Sequence, residues 1–264
     1  MSTAGYGGFS LVRSDFFKSF KLSGNALKFI AAFCMAVDHV GVVLFPREEM
    51  FRIVGRLAFP LFAYMLAEGC VHTRNKLKHF LLLFSFASVC QIGYTVFTQD
   101  TYMSILITFS IAILLIYALE FFKNTLFSDK PVVLKILTGV LFASALIGTY
   151  LLNEAVVIDY GFGGCVLPLL PTVLRKPKGA DGKPWRLLDN KYVHVAAFAL
   201  GLSVFAAVAG EIQWFSLLAI PLLLLYSEKR GKLKTKYFFY IFYPAHLVLI
   251  YGIGILVEIL EKGA

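Results

Sequence analysis

Asp38 and His39 stand side by side in an otherwise apolar run, Met35-Ala36-Val37-Asp38-His39-Val40-Gly41, and Arg56 follows in Gly55-Arg56-Leu57-Ala58-Phe59-Pro60. A carboxylate, an imidazole and a guanidinium can move protons and hold developing charge. Here they lie in apolar stretches, about 26–45 and 51–71, each long enough to cross a bilayer at ~1.5 Å per residue. An ionisable group at that depth is costly, so it faces a partner, a cavity or a substrate rather than lipid. Adjacent helical residues point ~100° apart, which keeps Asp38 from orienting its own neighbour His39 as a hydrolase triad would. The spacing predicts that Asp38 pairs with Arg56, neutralising both charges, and that His39 is left free to act as a base. Such a pair could equally serve only to fix helix packing.

The elements that must position these groups are membrane spans. The 264-residue chain is 59% hydrophobic and only 16% charged, with 26 Phe, and its mean hydropathy is +0.77. That is too apolar for one water-soluble core. The expected fold is all-α, a polytopic membrane helix bundle forming a single domain over 1–264. Apolar runs at 26–45, 51–71, 78–97, 103–121, 132–151, 157–174, 192–209, 213–227 and 236–258 suggest about nine transmembrane helices, the sixth and eighth short for the task. Residues 1–24 read as a cytoplasmic or interfacial segment without a signal peptide, in which Phe16, Phe17, Phe20 and Leu22 suit a helix lying on the membrane surface.

The net charge of +9 could attract nucleic acid, but Lys and Arg fall in every alternate connection between apolar runs. The positive-inside rule accounts for that pattern without nucleic acid, and places the N-terminus in the cytoplasm and the C-terminus outside. Cys34, Cys70, Cys90 and Cys165 lie in apolar runs with no CxxC spacing, so neither a disulfide framework nor a metal site is expected.

On this topology Asp38, His39, Arg56 and Gln91 share a layer about 8–10 Å below the outer surface. Ser104, Thr108, Asp159 and Tyr160 enter the same half, and His246 sits nearer the midplane, two residues after Pro244. Pro60, Pro168, Pro171, Pro221 and Pro244 are places where a kinked span opens carbonyls onto a cavity. A polar pocket facing outward is therefore expected. At the opposite end His72-Thr73-Arg74-Asn75-Lys76, with Lys78, offers phosphate-binding donors, although the positive-inside rule alone would also produce such a loop. Glu68 is expected to pair with a Lys of that loop. The chain carries no Walker A loop, no GxGxxG after a strand, no HExxH and no GxSxG.

Asp38-His39-Val40-Gly41, the run Phe51 to Ala63 around Gly55-Arg56, Glu68-Gly69, His72-Thr73-Arg74-Asn75, and Tyr237-Phe238-Phe239-Tyr240-Ile241-Phe242-Tyr243-Pro244-Ala245-His246-Leu247 together resemble the TraX family. The likeness covers nearly the whole chain; Ser104 stands four residues before Thr108, where that family often has Asn. It implies a multi-pass protein of the bacterial inner membrane, linked to N-terminal acetylation of conjugative pilin and similar to a wider group of transmembrane acyltransferases. Acetyl-CoA is then the implied donor, its phosphates held by His72, Arg74, Lys76 and Lys78, and the acceptor is a peptide, pilin-like or glycan amine or hydroxyl. His39 would serve as base beside Asp38 and Arg56. Arg56, then Gln91, then the backbone near Pro244 and His246 would stabilise the oxyanion. Ser104, Thr108, Asp159, Tyr160, Tyr243 and His246 would border the acceptor. A route through acetyl-His39 is equally compatible. The rivals are a proton-coupled secondary transporter, which also uses intramembrane Asp, Arg and His, and a membrane scaffold with no chemistry.

Overall fold

The computed structural model describes residues 21–180, 182–233, 235 and 237–263. Phe16, Phe17 and Phe20 of the expected surface helix, and Lys234 and Lys236 of the last basic connection, lie outside the described residues; Leu22 is extended backbone bonded to Leu225 rather than helix. Long apolar runs have no water to satisfy their backbone, so they close their own hydrogen bonds as helices. The helices are α1 (Gly24–Leu44), α2 (Glu49–Gly55), α3 (Ala58–His72), α4 (Lys76–Thr98), α5 (Ile105–Leu126) and α6 (Val132–Ala155), then α7 (Gly161–Val166), α8 (Leu170–Val173), α9 (Lys183–Leu188), α10 (Lys191–Ala209), α11 (Ala219–Leu224) and α12 (Phe238–Gly263). Seven stretches are long and apolar enough to cross a membrane, with α2 and α3 together forming one of them. No strand forms among the described residues. Side-chain caps sit at the starts of three spans: Ser23 accepts from the Ala26 N–H, Asn75 from Lys78 and Asn190 from Val193.

The second span departs from the single helix expected over 51–71. It breaks at Arg56-Leu57, because Pro60 has no N–H to return to the Arg56 carbonyl and the chain tightens ahead of it: the Arg56 N–H is shared between the Arg52 and Ile53 carbonyls at 3.1 and 3.3 Å. The short α2 lies against α1 at two glycines. A Cβ on Gly41 would come within 2.2 Å of Phe51 Cβ, and one on Gly55 within 2.0 Å of Asp38 Oδ1. Those bare positions let α2 approach closely enough for its arginines to reach Asp38.

Two apolar helical stretches, Gly161–Val173 and Glu211–Leu224, are shorter than a standard span, yet each runs the length of the bundle. The first begins where Thr108 Oγ1 donates to the Asp159 carbonyl at 2.7 Å and ends where Lys123 Nζ donates to the carbonyls of Thr172, Val173 and Arg175, so it follows α5 from one end to the other. The second begins with Gln213 on Arg56 and ends at Leu224 and Tyr226, whose carbonyls accept Lys191 Nζ at 2.8 and 3.0 Å. Pro168, Pro171 and Pro221 interrupt these stretches. Residues Leu167–Leu169 and Glu211–Leu218 are 3-10 helix. At ~2.0 Å per residue rather than ~1.5 Å, the 3-10 portion brings Glu211–Leu224 to about 25 Å, close to a bilayer core.

These ties gather the basic connections at one end of the bundle. Leu22 donates its N–H to the Leu225 carbonyl at 2.9 Å, Asn25 Nδ2 donates to Leu233 at 2.7 Å, and Lys76 pairs with Glu120 at 2.7 Å. Glu68 pairs with Arg175, not with a lysine of its own loop; Tyr226 Oη and His72 Nε2 stand at 3.4 and 3.6 Å from its other oxygen. Arg175 arrives from the far side of the sixth apolar run, a meeting that sequence proximity does not suggest. The core is built by α3, α5 and α10 around Tyr64, Leu61, Ile113, Leu115 and Phe198, all fully buried. Helices α4, α6 and α12 lie at the periphery with most of their apolar surface uncovered, as helices solvated by lipid do.

Gly55→Ala is expected to push Asp38 away from its arginines and destabilise the protein by roughly 1–3 kcal/mol, the usual scale of overpacking. Gly148→Ala, whose Cβ would meet nothing within 4 Å, should be neutral or stabilising. Thermal unfolding of the two variants in nanodiscs checks this, and equal melting temperatures would remove the close approach from the account.

Candidate active site

Asp38 meets two cations. Arg52 Nη1 donates to Oδ2 at 2.7 Å, and Arg56 Nη2 stands 3.7 Å from Oδ1. The expected partner Arg56 is present but secondary, since its Nη1 donates to Gln213 Oε1 at 3.2 Å. Arg52 lies four residues earlier, one helical turn away, and so shares a face with Arg56. Asp38 Oδ1, Arg56 Nε and Gln213 Nε2 are buried without hydrogen-bond partners.

His39, on the next position of α1, has its Nδ1 2.8 Å from the Met35 carbonyl. A carbonyl only accepts, so the bond assigns the neutral ring's proton to Nδ1 and leaves the lone pair on Nε2. His246 repeats the arrangement, its Nδ1 at 2.8 Å from the Phe242 carbonyl. The two rings meet edge to face with centroids 5.0 Å apart, and His246 stacks on Phe242. His39 lines the cavity described below, whereas His246 is buried behind it. The expectation that His246 borders the acceptor is thus replaced by packing against His39, because α12 turns this face inward toward α1.

The remaining residues of the layer divide into structural and cavity-facing groups. Gln91 Nε2 donates to the Tyr102 carbonyl at 2.9 Å and its Oε1 accepts the Ser104 N–H at 2.9 Å, so it ties α4 to the start of α5 and holds no free amide for an oxyanion. Thr108, fully buried, is committed to the Asp159 carbonyl. Asp159 Oδ1 accepts Tyr102 Oη at 2.6 Å. Burial raises the Asp159 pKa, while that hydrogen bond and the Arg56 charge pull it back. Tyr160, held at a left-handed φ of 60°, stacks on Phe59 with centroids 3.9 Å apart. Ser104, Asp159, Tyr160 and Tyr243 all line the cavity.

That cavity is a cleft of about 2650 Å³, well above the ~300–1,000 Å³ of ordinary small-molecule sites. Asp38, His39, Arg52 and Arg56 border it at one end; Lys28, His72, Thr73, Asn75, Lys78 and Arg230 border it at the basic end. Between them runs an apolar passage past Phe62, Met65 and Leu170, roughly the length of the 15-residue α3, about 22 Å. The pocket expected to face outward therefore extends to both ends. Of the loop cations expected to hold phosphates, His72 and Lys78 border the cleft. Arg74 and Lys76 do not, and Lys76 is spent on Glu120 and the Tyr117 ring. Lys28 and Arg230 border it as well. Arg52 was recoverable from its four-residue spacing to Arg56; Lys28, Arg230 and Gln213 carry no motif, and only the fold brings them in.

A multi-pass membrane helix bundle with a charged intramembrane cluster at one end of a long cleft is the class that fold and site define. The family model described as TraX protein matches residues 23–254, and the chain belongs to the TraX family of multi-pass bacterial membrane proteins. It is 27% identical to a probable fimbrial assembly protein FimC, serogroup H1, of Dichelobacter nodosus over 268 residues, 88% of this chain and 96% of that one. A segment of 40 residues, 15% of the chain, is 40% identical to an uncharacterised protein of Rickettsia prowazekii (strain Madrid E), covering 16% of that protein. No solved structure matches.

Because two arginines share one carboxylate, replacing the carboxylate and replacing one arginine should differ. Asp38→Ala leaves both guanidiniums without an anion and should be the more destabilising; Arg52 is 37% exposed, so the cost should stay below the roughly 3–5 kcal/mol of a fully buried pair. Arg56→Gln leaves Asp38 paired with Arg52 and should cost clearly less. Melting temperatures decide it, and an Arg56→Gln protein as unstable as Asp38→Ala would make Arg56 the principal partner after all.

Proposed function

We propose that the protein is a transmembrane acetyltransferase, moving an acetyl group from acetyl-CoA at the basic end to an amine or hydroxyl acceptor at the Asp38–His39 end. The observation that carries this reading is the single cleft joining a cluster of cations to a histidine with a free Nε2 lone pair. The positive-inside rule puts the basic end in the cytoplasm, where acetyl-CoA is available. Family membership and the similarity to a fimbrial assembly protein favour a peptide or pilin-like acceptor. Lys28, Lys78 and Arg230, with the Asn75 amide NH2, suit an anionic nucleotide end, and the apolar passage suits a thin thioester arm.

In the reaction, His39 Nε2 takes the proton from the attacking amine as its nitrogen bonds to the thioester carbonyl carbon. The C–S bond then breaks, and the departing thiolate takes up the proton that His39 holds. The products are the acetylated amine and free CoA. Asp38 is committed to two arginines, so its part is to hold α1 and α2 in register beside His39 rather than to relay a proton.

A proton-coupled carrier would also use a cleft that reaches both ends, so the test must distinguish chemistry from transport. Protein in nanodiscs, given acetyl-CoA and a small peptide with a free α-amine, should release free thiol in step with acetylated peptide. Passage of a solute in liposomes with no thiol release would instead establish the carrier. His39→Ala should keep its melting temperature, because a neutral imidazole strands no charge, and lose about 10²-fold or more in turnover. Lys78→Ala and Arg230→Ala should raise the KM for acetyl-CoA with little change in kcat, and wild-type KM should itself rise with salt as exposed charges are screened. An unchanged KM in both variants would place the nucleotide elsewhere.

A further inference from the structure

Gln213 belongs to no motif, yet it is a buried amide bonded on one side only. It lies in the 3-10 helix Glu211–Leu218, entered through Gly210 at a φ of 104°, a conformation open to glycine. That helix packs on α2 and α3. The side chain is 3% exposed and lines the cleft with Asp38, His39 and Arg56. Arg56 Nη1 donates to its Oε1 at 3.2 Å. A guanidinium has no acceptor, so this contact fixes which way the amide is turned: the oxygen faces Arg56 and the NH2 group faces away from it.

That NH2 group is buried without a hydrogen-bond partner. An unmade bond to a buried donor is destabilising and is rare in folded proteins. If the side chain served only to hold Arg56, glutamate would do so better, by adding a charge to the same contact. What glutamate lacks is an N–H. Gln91, the other amide of the layer, is used on both sides by the backbone.

We infer that Gln213 is the oxyanion donor of the acyl transfer, a turn of its side chain in the cleft wall bringing the enclosed Nε2 N–H onto the thioester oxygen as that oxygen becomes negative. The inference rests on the acetyltransferase reading and adds a catalytic residue to it. When the acceptor nitrogen bonds to the carbonyl carbon, the C=O π pair moves onto oxygen and the Gln213 N–H meets it. When the C–S bond breaks, that pair re-forms the carbonyl. Gln213 keeps its protons throughout; the one proton transferred passes through His39. Arg56, by placing positive charge on Oε1, polarises the amide and makes its N–H groups stronger donors.

The test uses full-length protein in nanodiscs and measures CoA release, kcat, KM for acetyl-CoA and melting temperature for wild type, Gln213→Glu and Gln213→Met. Gln213→Glu keeps the size and the Arg56 contact but has no N–H; Gln213→Met has neither contact nor charge. The expected result is a loss of about 10²–10³ in kcat for both, the scale of removing one such donor, with KM within about twofold and an unchanged melting temperature for Gln213→Glu. Near-normal kcat in Gln213→Glu overturns the inference and leaves acyl transfer standing. A Gln213→Glu protein whose melting temperature falls along with its activity returns Gln213 to a structural role. A wild type that releases no CoA overturns both readings.

Discussion

A carboxylate inside an apolar bundle must be met by cations, and the geometry of this protein's site follows from how Asp38 is met. In a medium of low dielectric an unpaired Asp38 is costly, so α2 has to bring its arginines to α1. It can do so because Gly41 and Gly55 leave room for Phe51 and for the Asp38 carboxylate, and because the chain breaks at Arg56-Leu57 ahead of Pro60. That break aims Arg56 sideways, toward Gln213 on another part of the chain, while Arg52 keeps the carboxylate. His39 is thereby placed on the cleft wall with its ring fixed by Met35. Proton chemistry and ion pairing are divided between neighbours in the sequence.

The basic end is built on the same principle with different partners. Glu68 is buried at the end of α3 and matched by Arg175, and Lys123 closes three carbonyls at the foot of the Gly161–Val173 helix. The apolar core of α3, α5 and α10 lies between these two polar clamps. Beside it the cleft is lined by charged groups at both ends and by apolar side chains between them.

The membrane class, the apolar runs and the alternation of basic connections were legible because hydropathy and loop charge act locally along the chain. So was the Asp38–His39–Arg56 layer, since depth follows from residue count. What stayed hidden depends on contacts between distant segments. Arg52 as the closer partner of Asp38 needed the break before Pro60, and Glu68 meeting Arg175 needed the short helix Gly161–Val173 to run beside α5. Gln91 and Thr108 read as polar groups at the right depth, but depth does not say which way a side chain turns, and both turn to the backbone. The stretch Glu211–Leu224 looks marginal by residue count at ~1.5 Å per residue, but its eight-residue 3-10 portion lengthens it; Gly161–Val173, with three 3-10 residues, stays short.

The long separation of the paired groups also sets an order of events during synthesis. Asp38 and Arg52 are 14 residues apart, so they emerge from the ribosome almost together and can enter the bilayer as a neutral hairpin. Glu68 precedes Arg175 by 107 residues, which at about 5–20 residues per second is a delay of roughly 5–20 s. Arg56 precedes Gln213 by 157 residues. During that interval the nascent first half of the bundle carries a carboxyl group whose counter-ion has not been translated. Until Arg175 and the later crossings arrive and close the basic end, His72, one turn on from Glu68 and 3.6 Å from its second oxygen, is the nearest partner already in place.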